Sequence, residues 1–359
     1  VSLAWQGGTA PYLLSISSSS KSIVGVQVNG LPYSGPVSLM GSSAQVSFPP
    51  NEVSSSYAGI LTYALILSSG SASKSINLTQ QVSPFLAVAN YGNATVNLYN
   101  LEGITNRSSY LTLQTGIDPI ALAFDSQGNL WVGGGGGATA PSFLEEFTAP
   151  LTPNESPTFF SNHLQGSVLS LAFDPQGDLW IGENLTTIQE YSAPSSGLQL
   201  KTTMSTGDDP YLAFDASGNL WVGVAGNSPE ILEYLAPLTS APLTYPLTGY
   251  GGFGPIAFDA QGNLYSFNIV ASTSAPLPLE ELVKGASTFT QLFSVLPASS
   301  VIGLAFDASG NLWVSDSNST TQASQVQEFK PPFSTGSQAQ FTLTNGLNAP
   351  ASLAIWPTP

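Results

Sequence analysis

The sequence predicts an all-β chain in two parts, a small sandwich followed by a ring of four-stranded sheets. Three observations predict it. The phrase Leu-Ala-Phe-Asp-x-x-Gly-Asn-Leu-Trp-Val recurs through most of the chain, partial copies of the same unit flank that region, and the first 83 residues are short apolar runs divided by turn residues.

The copies read LAFDSQGNLWV at 122–132, LAFDPQGDLWI at 171–181, LAFDASGNLWV at 212–222, IAFDAQGNLYS at 256–266 and LAFDASGNLWV at 304–314. Their phenylalanines, Phe124, Phe173, Phe214, Phe258 and Phe306, are 49, 41, 44 and 48 residues apart. A period of about 40–50 residues containing short strands marks a propeller or solenoid array. Leu-Ala-Phe and Leu-Trp-Val are short continuous apolar runs, as strands buried on both faces should be. Between them Asp-x-x-Gly-Asn is a turn: Gly supplies a positive φ and the Asp carboxylate accepts from turn amides. A third strand ending in Glu plus an apolar or aromatic residue follows at 143–147, 188–191, 231–234, 279–282 and 326–329. A Ser/Thr/Pro-rich stretch and a fourth strand, as at 339–344, complete a unit the size of a propeller blade.

The count closes at six. A last partial copy, Ser352-Leu353-Ala354-Ile355-Trp356, supplies only a first strand. Phe85-Leu86-Ala87-Val88-Ala89-Asn90 and Thr95-Val96-Asn97-Leu98-Tyr99 read as the second and third strands that it lacks. The C-terminal strand is therefore expected beside the segment near residue 85, which removes the open edges of the array. These repeats resemble the NHL-type propeller repeats of secreted bacterial proteins. The pattern GNLWVANxGNxTVxxY of that family is split here between segments such as 128–132 and Ala89-Asn90-Tyr91-Gly92-Asn93. The resemblance covers residues 84–359 and implies a six-bladed propeller, a fold that serves enzymes, binding platforms and assembly modules alike.

Residues 1–83 lack the refrain. Strand-like runs stand at 12–16, 23–28, 37–40, 44–48, 59–67 and 73–78, with Asn29-Gly30 as a turn and Pro49-Pro50-Asn51 as a break. That pattern predicts an Ig-like β-sandwich. Trp5-Gln6-Gly7-Gly8-Thr9-Ala10-Pro11-Tyr12 resembles a stretch of the Ig-like and PKD-like repeats of bacterial surface proteins. The first strand is expected to be short or absent, open to strand addition by a neighbouring chain. A complete small sandwich is the alternative.

Charged residues make up 8% of the chain, against a usual value of about 25%. Twenty-two acidic and six basic residues give a net charge of −16, which repels nucleic acid. The longest hydrophobic stretch, 59–67, is too short to cross a bilayer, so no membrane insertion is expected. Cysteine is absent, which excludes disulfides, thiolate catalysis and cysteine metal sites. The chain begins at Val1 without a signal peptide and reads as a processed, secreted product of the cell surface. Asn-x-Ser/Thr sequons at Asn77, Asn93, Asn106, Asn154, Asn184 and Asn318 permit glycosylation.

No residue is assigned a catalytic role and no cofactor is called for. The single histidine, His163, cannot form a multi-histidine metal centre. Asp125, Asp174, Asp215, Asp259 and Asp307 are expected to cap their own hairpins; calcium would need six to eight oxygens converging on one point. Glu146, Glu190, Glu233, Glu281 and Glu328, replaced by Leu98 in the closing unit, are expected to bond loops between blades or to form an acidic belt. Trp131, Trp180, Trp221 and Trp313, with Tyr265 substituting once, are expected to pack blade on blade rather than to stack sugars. Propeller lactonases and related hydrolases hold one divalent cation with Glu, Asn and Asp at the channel mouth. Glu183, Asn184, Asn268 and Asp316 are residues of those types just after the second strands, yet no general base accompanies them. The glycine run at 133–137 is not followed by Lys and is no phosphate loop. The expected function is an extracellular, non-catalytic structural or adhesive protein, a homo-oligomer or a binder of surface proteins and glycans. A monomeric carbohydrate- or protein-binding propeller and a metal-dependent hydrolase or lyase are the alternatives.

Overall fold

The computed structural model describes residues 2–6, 10–18, 27–47, 60–81, 84–101, 104, 109, 111–116, 118–135, 142–149, 151–153, 155–160, 164, 166–184, 186–192, 198–225, 230–246, 252–269, 277–295, 300–318 and 323–356. The described residues form eight antiparallel sheets of four strands each, with one short 3-10 turn at Tyr91–Asn93. No helix among them is long and apolar enough to cross a membrane. The chain divides into two compact units, Val1–Ser83 with Ala149–Leu151, and Pro84–Thr148 with Thr152–Pro359.

The first unit holds two of the sheets. One runs Ser2–Ala4, Ser43–Ser47, Gln27–Val28, Leu31–Pro32, and the other Val37–Leu39, Tyr12–Ser18, Ile60–Ser69, Ala72–Gln81. Asn29 and Gly30, at φ 51° and 80°, make the tight turn between Gln27–Val28 and Leu31–Pro32, as that dipeptide favours. Alternate residues of both sheets turn inward, so Leu14, Ile16, Val28, Leu39, Val46 and Leu65 share one core. The Ile16 amide donates to the Tyr33 hydroxyl at 2.7 Å and ties strand to loop. The first strand is short, three residues paired with Ser43, Ala44 and Gln45.

The other six sheets belong to the second unit. Five are each built from consecutive strands and are named here by their hairpin residue: the Asp125, Asp174, Asp215, Asp259 and Asp307 sheets. Their first strands are Pro119–Phe124, Val168–Phe173, Asp209–Phe214, Gly252–Phe258 and Ser300–Phe306. The sixth, the closing sheet, joins the two ends of the unit. Its first strand, Pro350–Trp356, lies antiparallel beside Phe85–Asn90, with Ile355 opposite Leu86 and Leu353 opposite Val88. Thr95–Asn100 and Leu111–Gln114 follow outward. Each first strand touches the first strand of the next sheet. Pro350–Trp356 touches both Ser300–Phe306 and Pro119–Phe124, so the contacts return on themselves. This is a propeller-like arrangement.

The refrain packs against itself between sheets. Trp131 meets Phe173 with ring centroids 6.2 Å apart, Trp180 meets Phe214 at 5.7 Å, Trp221 meets Phe258 at 5.7 Å and Tyr265 meets Phe306 at 4.9 Å. The closing sheet carries Ala87, opposite Leu98, where the other five carry Trp or, once, Tyr opposite Glu. Trp356 from its first strand supplies a ring in place of that Trp, 5.9 Å from Phe124.

Candidate functional site

The polar groups of the refrain lie at the hairpins. Asp307 Oδ1 accepts the Ser309 and Asn311 amides at 2.8 and 2.9 Å, and its Oδ2 accepts Asn311 Nδ2 at 2.9 Å and Trp313 Nε1 at 3.0 Å. The same network surrounds Asp215, with Trp221 Nε1 at 3.2 Å, and Asp259, where the Tyr265 hydroxyl replaces the indole at 3.3 Å. Asp125 and Asp174 accept the matching turn amides. The glycine three residues on has φ between 80° and 85° in all five turns, which lets the amides converge. These aspartates are caps of their own hairpins. The Asn completes the clamp: Asn219 Oδ1 accepts the Ala236 amide and Asn263 Oδ1 the Lys284 amide, both at 3.0 Å, just past the third strands.

Three of the third-strand glutamates bond within their own sheets rather than to loops between blades. Glu190 takes Lys201 of the fourth strand at 3.1 Å, Glu233 Oε2 accepts the Tyr245 hydroxyl at 2.7 Å, and Glu281 Oε1 accepts the Tyr265 hydroxyl at 2.5 Å. Loops are held by other carboxylates. Glu145 Oε1 accepts the Gly116 amide at 2.7 Å and Glu183 Oε2 the Gly166 amide at 2.9 Å, both side chains fully buried. Glu145 Oε2 has no partner among the described residues. Burial pushes the Glu145 carboxyl up to about 7, against the smaller opposing pull of the Gly116 amide.

Two of the four metal candidates, Glu183 and Asp316, are buried carboxylates. Asn184 Oδ1 accepts the Ser167 amide at 3.0 Å, so Glu183 and Asn184 together grip the loop that leads into Val168–Phe173. Asp316 Oδ2 accepts Gln325 Nε2 at 2.9 Å, across the ladder of its own sheet. Glu183 and Asp316 belong to the Asp174 and Asp307 sheets, which are not neighbours. The side chain of Asn268 and the whole of His163 lie outside the described residues. Among the sequons Asn77, Asn93 and Asn184 are exposed, the side chain of Asn318 is outside the description, and so are Asn106 and Asn154.

Among the described residues one trio of carboxylates comes together: Asp174, Asp178 and Glu190. The Lys201 ammonium is paired with Asp178 and Glu190, so a cation of the chain already occupies the cluster. The signal for it in the sequence is a single departure, Asp178 where the other hairpins have Asn.

Three cavities lie among the described residues. One of about 330 Å³ lies between the Asp215 and Asp259 sheets, against Trp221, Glu233, Tyr245, Phe258 and Lys284. A second, of about 440 Å³, lies between the Asp259 and Asp307 sheets, against Tyr265, Glu281, Phe306, Ser309 and Phe333. The third, also about 440 Å³, is in the first unit, where Leu3, Trp5, Leu14, Leu65 and Ile76 line it. It opens beside Ser2–Ala4 and Ala72–Gln81, the outer strands of the two sheets.

Fold and site together define a β-propeller-like protein whose hairpin aspartates cap its own turns. Comparison with solved structures agrees on the fold. The chain is similar to a protein of unknown function from Bacteroides caccae (TM-score 0.55, 11% identity, 76% of this chain and 98% of that one). It is similar to the periplasmic gluconolactonase of Pseudomonas aeruginosa (TM-score 0.51, 15% identity, 98% and 100%) and to the WD40 repeats of RRP9 (TM-score 0.50, 11% identity, 75% and 80%). At such identities the likeness speaks for the fold alone. No protein-family model matches the chain, and no curated protein does.

Proposed function

We propose that the chain is an extracellular, non-catalytic structural or adhesive protein, an Ig-like sandwich followed by a closed six-bladed NHL-like propeller, that assembles with further copies of itself. The observation that carries this reading is the open seam of the first unit. Ala72–Gln81 is a ten-residue outer strand with no strand paired beyond it among the described residues. A long unpaired edge is a template for another chain. The cavity beside it exposes the core, and the buried Trp5 Nε1 finds no acceptor among the described residues. An added strand would offer that indole a carbonyl and fill the cavity with side chains. The six sheets of the second unit, with contacts that return on themselves, support the six-bladed closure.

Head-to-tail addition joins unlike surfaces and propagates. Electron microscopy and sedimentation test it: extended assemblies are expected, and they disappear when Ser75→Lys and Asn77→Lys place charges on the exposed edge. Dispersed monomers of the unaltered protein across pH 3–8 would overturn the reading.

A further inference from the structure

We propose that the two clefts flanking the Asp259 sheet bind the rings of neutral sugars. Each cleft presents the same groups from corresponding positions. The second-strand aromatic (Trp221 or Tyr265) and the third-strand glutamate (Glu233 or Glu281) come from one sheet, and the phenylalanine (Phe258 or Phe306) from the next. At two other places the corresponding space is taken by the chain itself. Trp356 covers Gly128 between the closing and Asp125 sheets, so closely that a Cβ there would stand 3.2 Å from the indole. In the Asp174 sheet Lys201 pairs with the carboxylates.

The chemistry of the first cleft selects its ligand. The half-buried Tyr245 stacks on the buried Trp221, with centroids 5.3 Å apart and 26° between planes, and lines the first cleft as an aromatic wall for the C–H face of a sugar ring. Glu233 spends Oε2 on the Tyr245 hydroxyl, while its Oε1 accepts from no described residue and is left for a ligand hydroxyl. The Lys284 ammonium lines the same cleft and makes no ion pair among the described residues, so it can donate to a ring or hydroxyl oxygen. Carboxylates on one wall and a net charge of −16 disfavour an anionic ligand, and Lys284 disfavours a cationic one. A neutral polyol satisfies all of them. The volumes, about 330 and 440 Å³, lie at the lower end of small-ligand cavities, which suits single sugar rings. Two such clefts one sheet apart favour a repeating or branched glycan over a free monosaccharide through their combined avidity.

The sites require no self-assembly, so binding is measured on material shown by sedimentation to be monomeric, and its failure leaves the assembly reading untouched. The probes are a panel of neutral oligosaccharides of glucose, galactose, mannose and N-acetylglucosamine, with sialylated, sulfated and amine-bearing glycans as controls. Binding is followed by calorimetry and tryptophan fluorescence. Saturable binding of a neutral glycan is expected, weakened at least tenfold by Ser217→Trp and by Ser309→Trp, which fill the first and second clefts from exposed positions. The pair together should abolish it. Glu233→Gln, which keeps the acceptor for Tyr245 and removes the charge, should weaken binding severalfold without altering Tm, and serves where a tryptophan variant fails to fold. Binding of charged glycans alone, binding indifferent to all three substitutions, or no binding across the panel would each overturn the proposal.

Discussion

Ile355 and Leu86 face each other across one ladder although nearly the whole second unit lies between them in sequence. The packing of the entire unit therefore rests on a pairing made by its two ends. Trp356, the last residue of that ladder, stands in for the refrain tryptophan against Phe124 and is 5% exposed.

Trp356→Ala should accordingly cost about 3–5 kcal/mol, the range for removing a buried aromatic. Thermal and urea unfolding measure it. A cost below about 1 kcal/mol would mean that the closing sheet adds little to the stability of the unit.

Asp307→Ala removes the acceptor of three turn and side-chain N–H groups and of the buried Trp313 Nε1. A loss of about 2–4 kcal/mol is expected, because buried donors are left without partners. Asp307→Asn keeps one acceptor oxygen and should cost less. Equal effects of the two would show that the acceptor oxygen kept by the amide carries no weight.

Stability should rise on the acid side of neutrality. Burial holds the Glu145 carboxyl up to about 7, above its ordinary value of 4.5, and raises Glu146, Asp209 and Glu328 in the same direction. The folded chain then keeps protons that the unfolded chain releases. The Glu145 contribution is complete below about pH 4.5 and is lost as pH climbs through 7, and the other three act in the same sense. For Glu145 the span is about 3 kcal/mol. Unfolding followed from pH 4.5 to 8 should show the decline, and Glu145→Gln, which still accepts from Gly116, should flatten it. A profile unchanged by that substitution would place the proton elsewhere.

Lys201 pairs with the extra carboxylate Asp178, and at 43% exposure the pair is worth little, about 0–1 kcal/mol. Asp178→Asn restores the refrain amide beside Asp174. Lys201→Ala should then cost less in the Asp178→Asn background than in the native one. A double-mutant cycle with no coupling would show that the lysine is incidental.

The fold was legible because a tandem unit announces itself: the Asp-x-x-Gly-Asn turn fixes two strands, and the orphaned strand at 352–356 demands the partner found near residue 85. The glutamates were harder. Neighbouring residues of a strand point to opposite faces, so in Glu145-Glu146 the loop contact expected of Glu146 belongs to Glu145, and the conspicuous member of the repeat faces the tryptophan of its own sheet. The clefts were invisible for a different reason. Tyr245, Lys284 and Phe333 lie outside the refrain, and only the fold brings them to its aromatic residues.

The closing sheet also sets an order of events during synthesis. Phe85–Asn90, buried along its whole length, leaves the ribosome long before Pro350–Trp356 exists to cover it. Until Pro350–Trp356 has been made that hydrophobic edge is bare, and a nascent chain stalled short of this strand offers a sticky flank to chaperones or to other unfinished chains.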